Sequence, residues 1–314
     1  VAVSVEGSYG LTSEFIDVWR RKQDSYSRTW EDRFVLTHGY QQITKQAVNG
    51  LLQKYNLKPG DFSRAVFYGP DARSHATLGR ALGFDAKTQL QDPLINTVGN
   101  TGAASAMMML VAALEEAKPG DRLLWASYGD GADAFILKVE DNIEKLGDRR
   151  GIKHHLESKM MLPNYETYLR FRSLMEWEPE RRPPDEGSLN ITWRERNTIL
   201  RGHGHKCRQC GHVQFPPQRV CMWCQAKDEL DEVRISDKKG TLFTFSMDER
   251  AMVPVLPNIL CVVDLEGGGR FYGQMTDRDP AKIEVGMTVE LTFRKVNEAG
   301  GIHNYFWKLR PVRC

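Results

Sequence analysis

Two Cys-x-x-Cys pairs constrain this chain more than any other feature: Cys207 with Cys210 and Cys221 with Cys224, in the run CRQCGHVQFPPQRVCMWC. Each pair closes a tight turn that aims two thiolates at one point, and two such turns complete the tetrahedral Cys₄ shell that zinc prefers in structural sites. Four protein thiolates leave no open position for water, so the site reads as structural zinc, with iron in a rubredoxin-like site as the alternative. Gly211 suits a knuckle that needs positive φ, and Pro216 and Pro217 stiffen the stretch between the knuckles. His203, His205 and His212 lie close in sequence but read as surface residues, because the cysteines already fill the shell. Cys261 and Cys314 stand alone. In a reducing compartment such a pattern favours metal over disulfides.

A chain of 314 residues exceeds what one core usually serves, which predicts two or three domains. With 43 basic and 41 acidic residues the formal charge is +2, too balanced to make nucleic acid or an anionic membrane surface the principal partner. The longest apolar stretch, near Ala106 to Leu114, is far short of the roughly 20 residues that cross a bilayer. The opening VAVSVEGSYGLTSEF has no initiator Met and no secretory signal, so the cytoplasm is expected.

Periodicity divides the chain. Residues 1–142 alternate helical and β-rich runs, the mark of layered α/β structure. Helices are expected over 38–56, 73–83 and 100–117, a strand over Ala65–Tyr68, and a hairpin from Arg122–Tyr128 and Asp133–Val139 around the Gly129–Gly131 turn. Residues 143–200 form a charge-dense connector. It holds aromatics at Tyr165, Tyr168, Phe171 and Trp177, a helix near Tyr165–Met175, and a break at Arg182-Pro183-Pro184. Residues 201–228 carry the metal site. Residues 229–314 hold short β-rich runs at 232–236, 241–247, 259–265, 270–274, 288–293 and 304–309 with glycine-rich turns, which predicts a small barrel.

A ribbon of this spacing followed at once by a small barrel, including KKGTLFTFS and IEVGMTVELTF, resembles the acyl-CoA-associated zinc-ribbon and OB-fold domain family from about Thr192 to Arg313. The resemblance implies docking to a thiolase-type partner and shaping of an acyl-CoA passage. In the N-terminal part, EFIDVWRRKQDSYSRTWEDRF, LKPGDFSRAVFYGPD and NTVGNTGAASAMMMLVAALEEAKPGDRLLWASYGDGADAF resemble the C-terminal half of the thiolase superfamily, nearest to hydroxymethylglutaryl-CoA synthase and the type-three ketoacyl synthases. The fold expected is therefore an α/β thiolase-like half domain, layered α-β-α, followed by a zinc ribbon and a small all-β OB-fold barrel.

Asn100, in Gly99-Asn100-Thr101, is expected at a helix start, where its amide and free backbone N–H groups converge on an oxygen. The resemblance implies that it orders water and the thioester oxygen that becomes an enolate. The plainer reading is a helix N-cap. Gly129 and Gly131 are read as letting the hairpin backbone approach a CoA thioester, though a tight turn alone would also need glycine. Where the family has a catalytic His, this chain has Tyr68. A phenol is a poor base at neutral pH unless its environment lowers its pKa, and Tyr68 reads either as the tyrosine of a retro-aldolase of β-hydroxyacyl-CoA or as a packed core residue. His38 and His75 are weighed as substitute bases and assigned surface or core roles. The family's nucleophilic Cys and Glu belong to a first half that the sequence does not show before Val1. A longer chain, or a partner subunit in a hetero- or homo-oligomer, is expected to supply it. The activity expected is acyl transfer, condensation or thiolytic cleavage of a CoA thioester within that assembly. The alternatives are the retro-aldolase and a non-catalytic scaffold that channels acyl-CoA for a separate thiolase.

Overall fold

The computed structural model describes residues 1–147, 150–175, 186–251, 253 and 255–312. Trp177, the Arg182-Pro183-Pro184 break and Cys314 lie outside the described residues. The chain divides into two compact units, Val1–Lys159 and Met160–Cys314.

The first unit is built on a sheet ordered β1-β6-β5-β4. Its strands are β1 (Val3–Thr12), β4 (Arg64–Phe67), β5 (Arg122–Gly129) and β6 (Gly131–Val139), and a small hairpin, β2 (Val18–Trp19) with β3 (Arg28–Thr29), lies outside it. β5 and β6 form the expected hairpin, β1 adds antiparallel to β6 from Val3↔Val139 to Thr12↔Gly131, and β4 runs parallel to β5. The strand β1 is absent from the sequence-based expectation.

Parallel pairing of β4 and β5 needs a crossover, which α3 (Ala72–Ala81) and α4 (Ser105–Leu114) supply. Side chains alternate across the sheet, as a pleated strand requires. Ala65, Phe67, Leu124, Ala126 and Ile136 join Val48, Leu51 and Leu78 in one core, so α2 (Gln42–Tyr55) and α3 cover that face. Val66 points the other way to Met109 and Ala113 of α4, giving the expected α-β-α layering. A short turn, α1 (Asp32–Phe34), and a π-helical stretch, Val35–Gln41, run into α2.

The helix expected over 100–117 starts later. Gly99 and Gly102 both have positive φ, 87° and 61°, so the chain first makes a single 3₁₀ turn over Gly102–Ala104. Regular α4 begins only at Ser105, so Asn100 occupies the entry turn rather than a helix terminus.

The second unit contains a helix over Tyr165–Phe171, within the helix expected near Tyr165, and two short helices, Leu189–Arg194 and Arg196–Ile199. Strands β7 (His203–Cys207), β8 (Val213–Gln214) and β9 (Leu230–Arg234) form a three-stranded sheet ordered β8-β7-β9. The run expected as the first barrel strand thus pairs with the ribbon instead, Leu230 opposite Cys207. The five remaining strands, β10 (Lys239–Asp248), β11 (Asn258–Leu265), β12 (Arg270–Gln274), β13 (Thr288–Ala299) and β14 (Ile302–Pro311), take the order β12-β11-β10-β13-β14. A parallel bridge from Met275 to Leu309, with the Thr276 N–H donating to the Leu309 carbonyl at 2.8 Å, joins the two ends and closes an OB-type barrel. Leu242, Ile259, Cys261, Val263, Phe271, Val289 and Leu309 fill it. No helix of the described residues is long and apolar enough to cross a membrane.

Candidate functional site

β4 ends at Phe67, and Tyr68 follows at the carboxyl end of a parallel strand, where open α/β sheets place their sites. Tyr40, from the π-helical stretch before α2, donates its hydroxyl to the Tyr68 carbonyl at 2.8 Å and fixes the backbone there. Asn100 is held from the other side: its Oδ1 accepts the Gly102 N–H at 2.9 Å, which turns its Nδ2 to donate to the Tyr68 hydroxyl at 3.0 Å. The two residues expected to be catalytic are therefore in direct hydrogen-bond contact.

Burial raises the pKa of Tyr68; the Asn100 hydrogen bond acts in the opposite direction, and Asp17 and Asp71 add to the rise. A lowered phenol pKa, which base catalysis at neutral pH would require, is not what this environment provides. Tyr68 is a neutral phenol that accepts from Asn100 and keeps its own proton to donate. A phenol that accepts a hydrogen bond is polarised into a better donor.

Two further residues, Tyr128 and Asp17, escaped the sequence reading. The Tyr128 ring stacks on Tyr68 with centroids 6.3 Å apart, and its hydroxyl is buried beside the Asp17 carboxylate. Burial, then the Asp17 carboxylate, pushes its pKa well up, so it too stays protonated. Tyr128 lies one residue before Gly129, and that position was the only available signal.

The glycines separate. A Cβ on Gly131, at φ 122°, would run into the Leu11 carbonyl of β1, so strand packing accounts for this glycine. A Cβ on Gly129 would meet nothing within 4 Å. Of the substitute bases, His38 is exposed and tilts against Phe34 at 5.0 Å. His75 is 1% exposed against Phe67, and burial holds its pKa near 4, so it is a neutral core residue at pH 7.

In the ribbon, the Sγ atoms of Cys207, Cys210, Cys221 and Cys224 all lie within 4.8 Å of one another, with Cys207–Cys224 at 3.6 Å and Cys210–Cys221 at 3.5 Å. A tetrahedron with metal–sulfur bonds of about 2.3 Å has edges near 3.8 Å, so the set fits one tetrahedral ion. The knuckles match: the Gly211 N–H donates to the Cys207 carbonyl and the Gln225 N–H to the Cys221 carbonyl, at 2.9 and 3.0 Å. Gly211 and Gln225 both have positive φ, 75° and 61°. Backbone N–H groups of Cys224 and Trp223 pull the Cys221 thiol below its ordinary value, whereas at Cys210 the His212 backbone hydrogen bond is outweighed by burial and the neighbouring thiols, which push it up, so the four thiols share their protons unevenly. His203, His205 and His212 turn to Glu232, the Gln218 carbonyl and the Trp223 ring.

Known proteins share these parts. Residues 52–139 match the 3-oxoacyl-[acyl-carrier-protein] synthase III C-terminal model, 204–231 the ChsH2 rubredoxin-like zinc ribbon and 232–294 the ChsH2 C-terminal OB-fold. The hydroxymethylglutaryl-CoA synthase of Methanopyrus kandleri is 34% identical over 171 residues, 54% of this chain and 47% of that protein. That of Thermococcus sibiricus is 37% identical over 142 residues, 45% of this chain and 40% of that protein. The chain thus spans less than half the length of these relatives. The solved Ltp2-ChsH2(DUF35) aldolase matches 41% of this chain and 98% of its own at 21% identity, with a TM-score of 0.31. The chain joins a thiolase-like domain of the synthase III C-terminal type to a ChsH2-type zinc ribbon and OB-fold.

Proposed function

We propose that residues 1–142 are the C-terminal half of a thiolase-superfamily enzyme that makes or breaks a carbon–carbon bond next to a CoA thioester, in the manner of hydroxymethylglutaryl-CoA synthase. The observation that carries this reading is the Asn100–Tyr68 hydrogen bond at the end of β4. When an acyl-CoA loses an α-proton or an α–β carbon bond, negative charge gathers on the thioester oxygen, and a preorganised donor there lowers the barrier. The neutral Tyr68 hydroxyl, polarised by Asn100, is that donor, and the same donor serves condensation and its reverse. Tyr128, beside it, supplies a second protonated hydroxyl. Nucleophile and base come from the first half of the fold, on the same polypeptide or on a thiolase-type partner, in the cytoplasm.

The Cys₄ set holds a structural zinc that neutralises the thiolates and fixes the ribbon, and the ribbon and barrel dock a partner and border the acyl-CoA passage. On this reading residues 1–142 are the catalytic half, 143–200 the connector, 201–228 the ribbon and 229–314 the OB-fold.

In the complete assembly, Asn100→Ala and Tyr68→Phe should each lower turnover by roughly 10²-fold or more, the size of losing one oxyanion donor, with the melting temperature little changed. Unchanged turnover in both variants would leave the scaffold reading in its place.

A further inference from the structure

Among the described residues, the barrel holds a group of cations that outnumbers the carboxylates beside it. Thr292 of β13 lies opposite Lys308 of β14 and Arg294 opposite Phe306, so Lys308 and Arg294 share one face two residues apart in register. The bridge from Met275 to Leu309 brings the following residues, Asp277 and Arg278, alongside Lys308. Asp277 is engaged by Arg294 at 2.6 Å, and on the same face Glu290 is engaged by Arg310 at 2.6 Å.

Arg278 is only 7% exposed. One of its terminal nitrogens donates to the Val255 and Pro257 carbonyls, while its Nε has no hydrogen-bond partner. Lys308 is half-buried and donates no hydrogen bond among the described residues. Burial, then Arg278 and Arg294, pull its pKa below the ordinary value, as mutually repelling charges do. Carbonyl dipoles offset part of the Arg278 charge, but among the described residues three cations stand beside one carboxylate, which is costly to keep out of water unless an anion joins them.

We propose that Arg278, Arg294 and Lys308 form a binding site for a phosphate-class dianion, either a phosphate monoester or a diphosphate. The two charges left over by Asp277 match a dianion, guanidinium groups bind phosphate oxygens in pairs, and Lys308 supplies a point charge. The site rests on the second unit alone and is independent of the reaction assigned to the first.

The test is thermal unfolding and calorimetric titration of the full chain with inorganic pyrophosphate and with adenosine 3′,5′-bisphosphate, each against chloride at matched ionic strength. Wild-type protein should be stabilised by at least one of them, Lys308→Met should bind it at least tenfold more weakly, and Lys308→Arg should retain binding. In anion-free buffer Lys308→Met should melt no lower than wild type, because it removes repulsion. A response to the bisphosphate alone assigns the anion to a CoA-like nucleotide, and a response to pyrophosphate as well assigns a free phosphate. No wild-type response to either ligand, or equal affinity in wild type and Lys308→Met, overturns the proposal.

Discussion

At the scale of single residues, protonation states decide the chemistry. A phenol at a position where a base is expected invites the assumption of a depressed pKa, and the sequence has no means of showing the burial and the two carboxylates that move Tyr68 the other way. The consequence is measurable: catalysis that needs the neutral Tyr68 should show no alkaline loss assignable to this residue below pH ~10, the ordinary phenol value. An alkaline limb near pH 7 that disappears in Tyr68→Phe would contradict it. His75 gives the complementary case. Its folded-state pKa, about 4, lies below the ordinary 6.5, so between those values the unfolded chain binds the extra proton and stability falls as pH drops. At full protonation the loss amounts to about 3 kcal/mol. Denaturant melts of wild type and His75→Asn between pH 7 and 4 should show a steeper decline in wild type, and parallel curves would count against it.

At the scale of elements, glycine and cysteine positions carry the testable content. Gly131→Ala should destabilise the first unit strongly, by several kcal/mol of the kind seen for special-φ/ψ strain and overpacking, because the added carbon meets the Leu11 carbonyl rather than a movable side chain. Gly129→Ala, with open space around it, should cost far less. Chemical denaturation of both variants distinguishes this packing account from one in which the two glycines are equivalent. In the ribbon, Gly211→Ala should cost about 1–2 kcal/mol through φ alone, since no atom lies near its Cβ position. Freshly prepared protein should contain about one zinc per chain, and chelation should release amide protection over 203–234 while leaving the first unit folded. Elemental analysis well below one zinc would remove the Cys₄ assignment. Most of these elements were legible because their signals are local: knuckle spacing, the Gly129–Gly131 turn, the glycine-rich barrel turns. What escaped was set by distant partners. The strand β1 is rich in Gly and Ser, and β6 pairing makes it a strand. The strand β9 reads like the other barrel strands, and only its partner, β7, places it in the ribbon. The late start of α4 follows from two positive-φ glycines that a helical pattern of apolar residues conceals.

At the scale of the whole molecule, each unit has its own core, and the first resembles proteins about twice as long as the part it matches. Asn100 and Tyr68 could each be singled out in the sequence, through Gly99-Asn100-Thr101 and the position of Tyr68. Their contact could not, because thirty-two positions of sequence separate Tyr68 from Asn100. A functioning enzyme on this account needs a first half carrying the nucleophile. Intact mass spectrometry of protein from its native source, denatured and native, should find either a chain heavier than 35.8 kDa or a stable complex with a second protein. A lone 35.8 kDa species with full turnover would count against that assembly. The most direct test of the central claim, that Tyr68 held by Asn100 stabilises the enolate of a CoA thioester, is exchange of the α-protons of acetyl-CoA in D₂O, catalysed by the assembled protein. The account predicts exchange by wild type and a loss of roughly 10²-fold or more in Tyr68→Phe and Asn100→Ala. Exchange at the wild-type rate in both variants would contradict it.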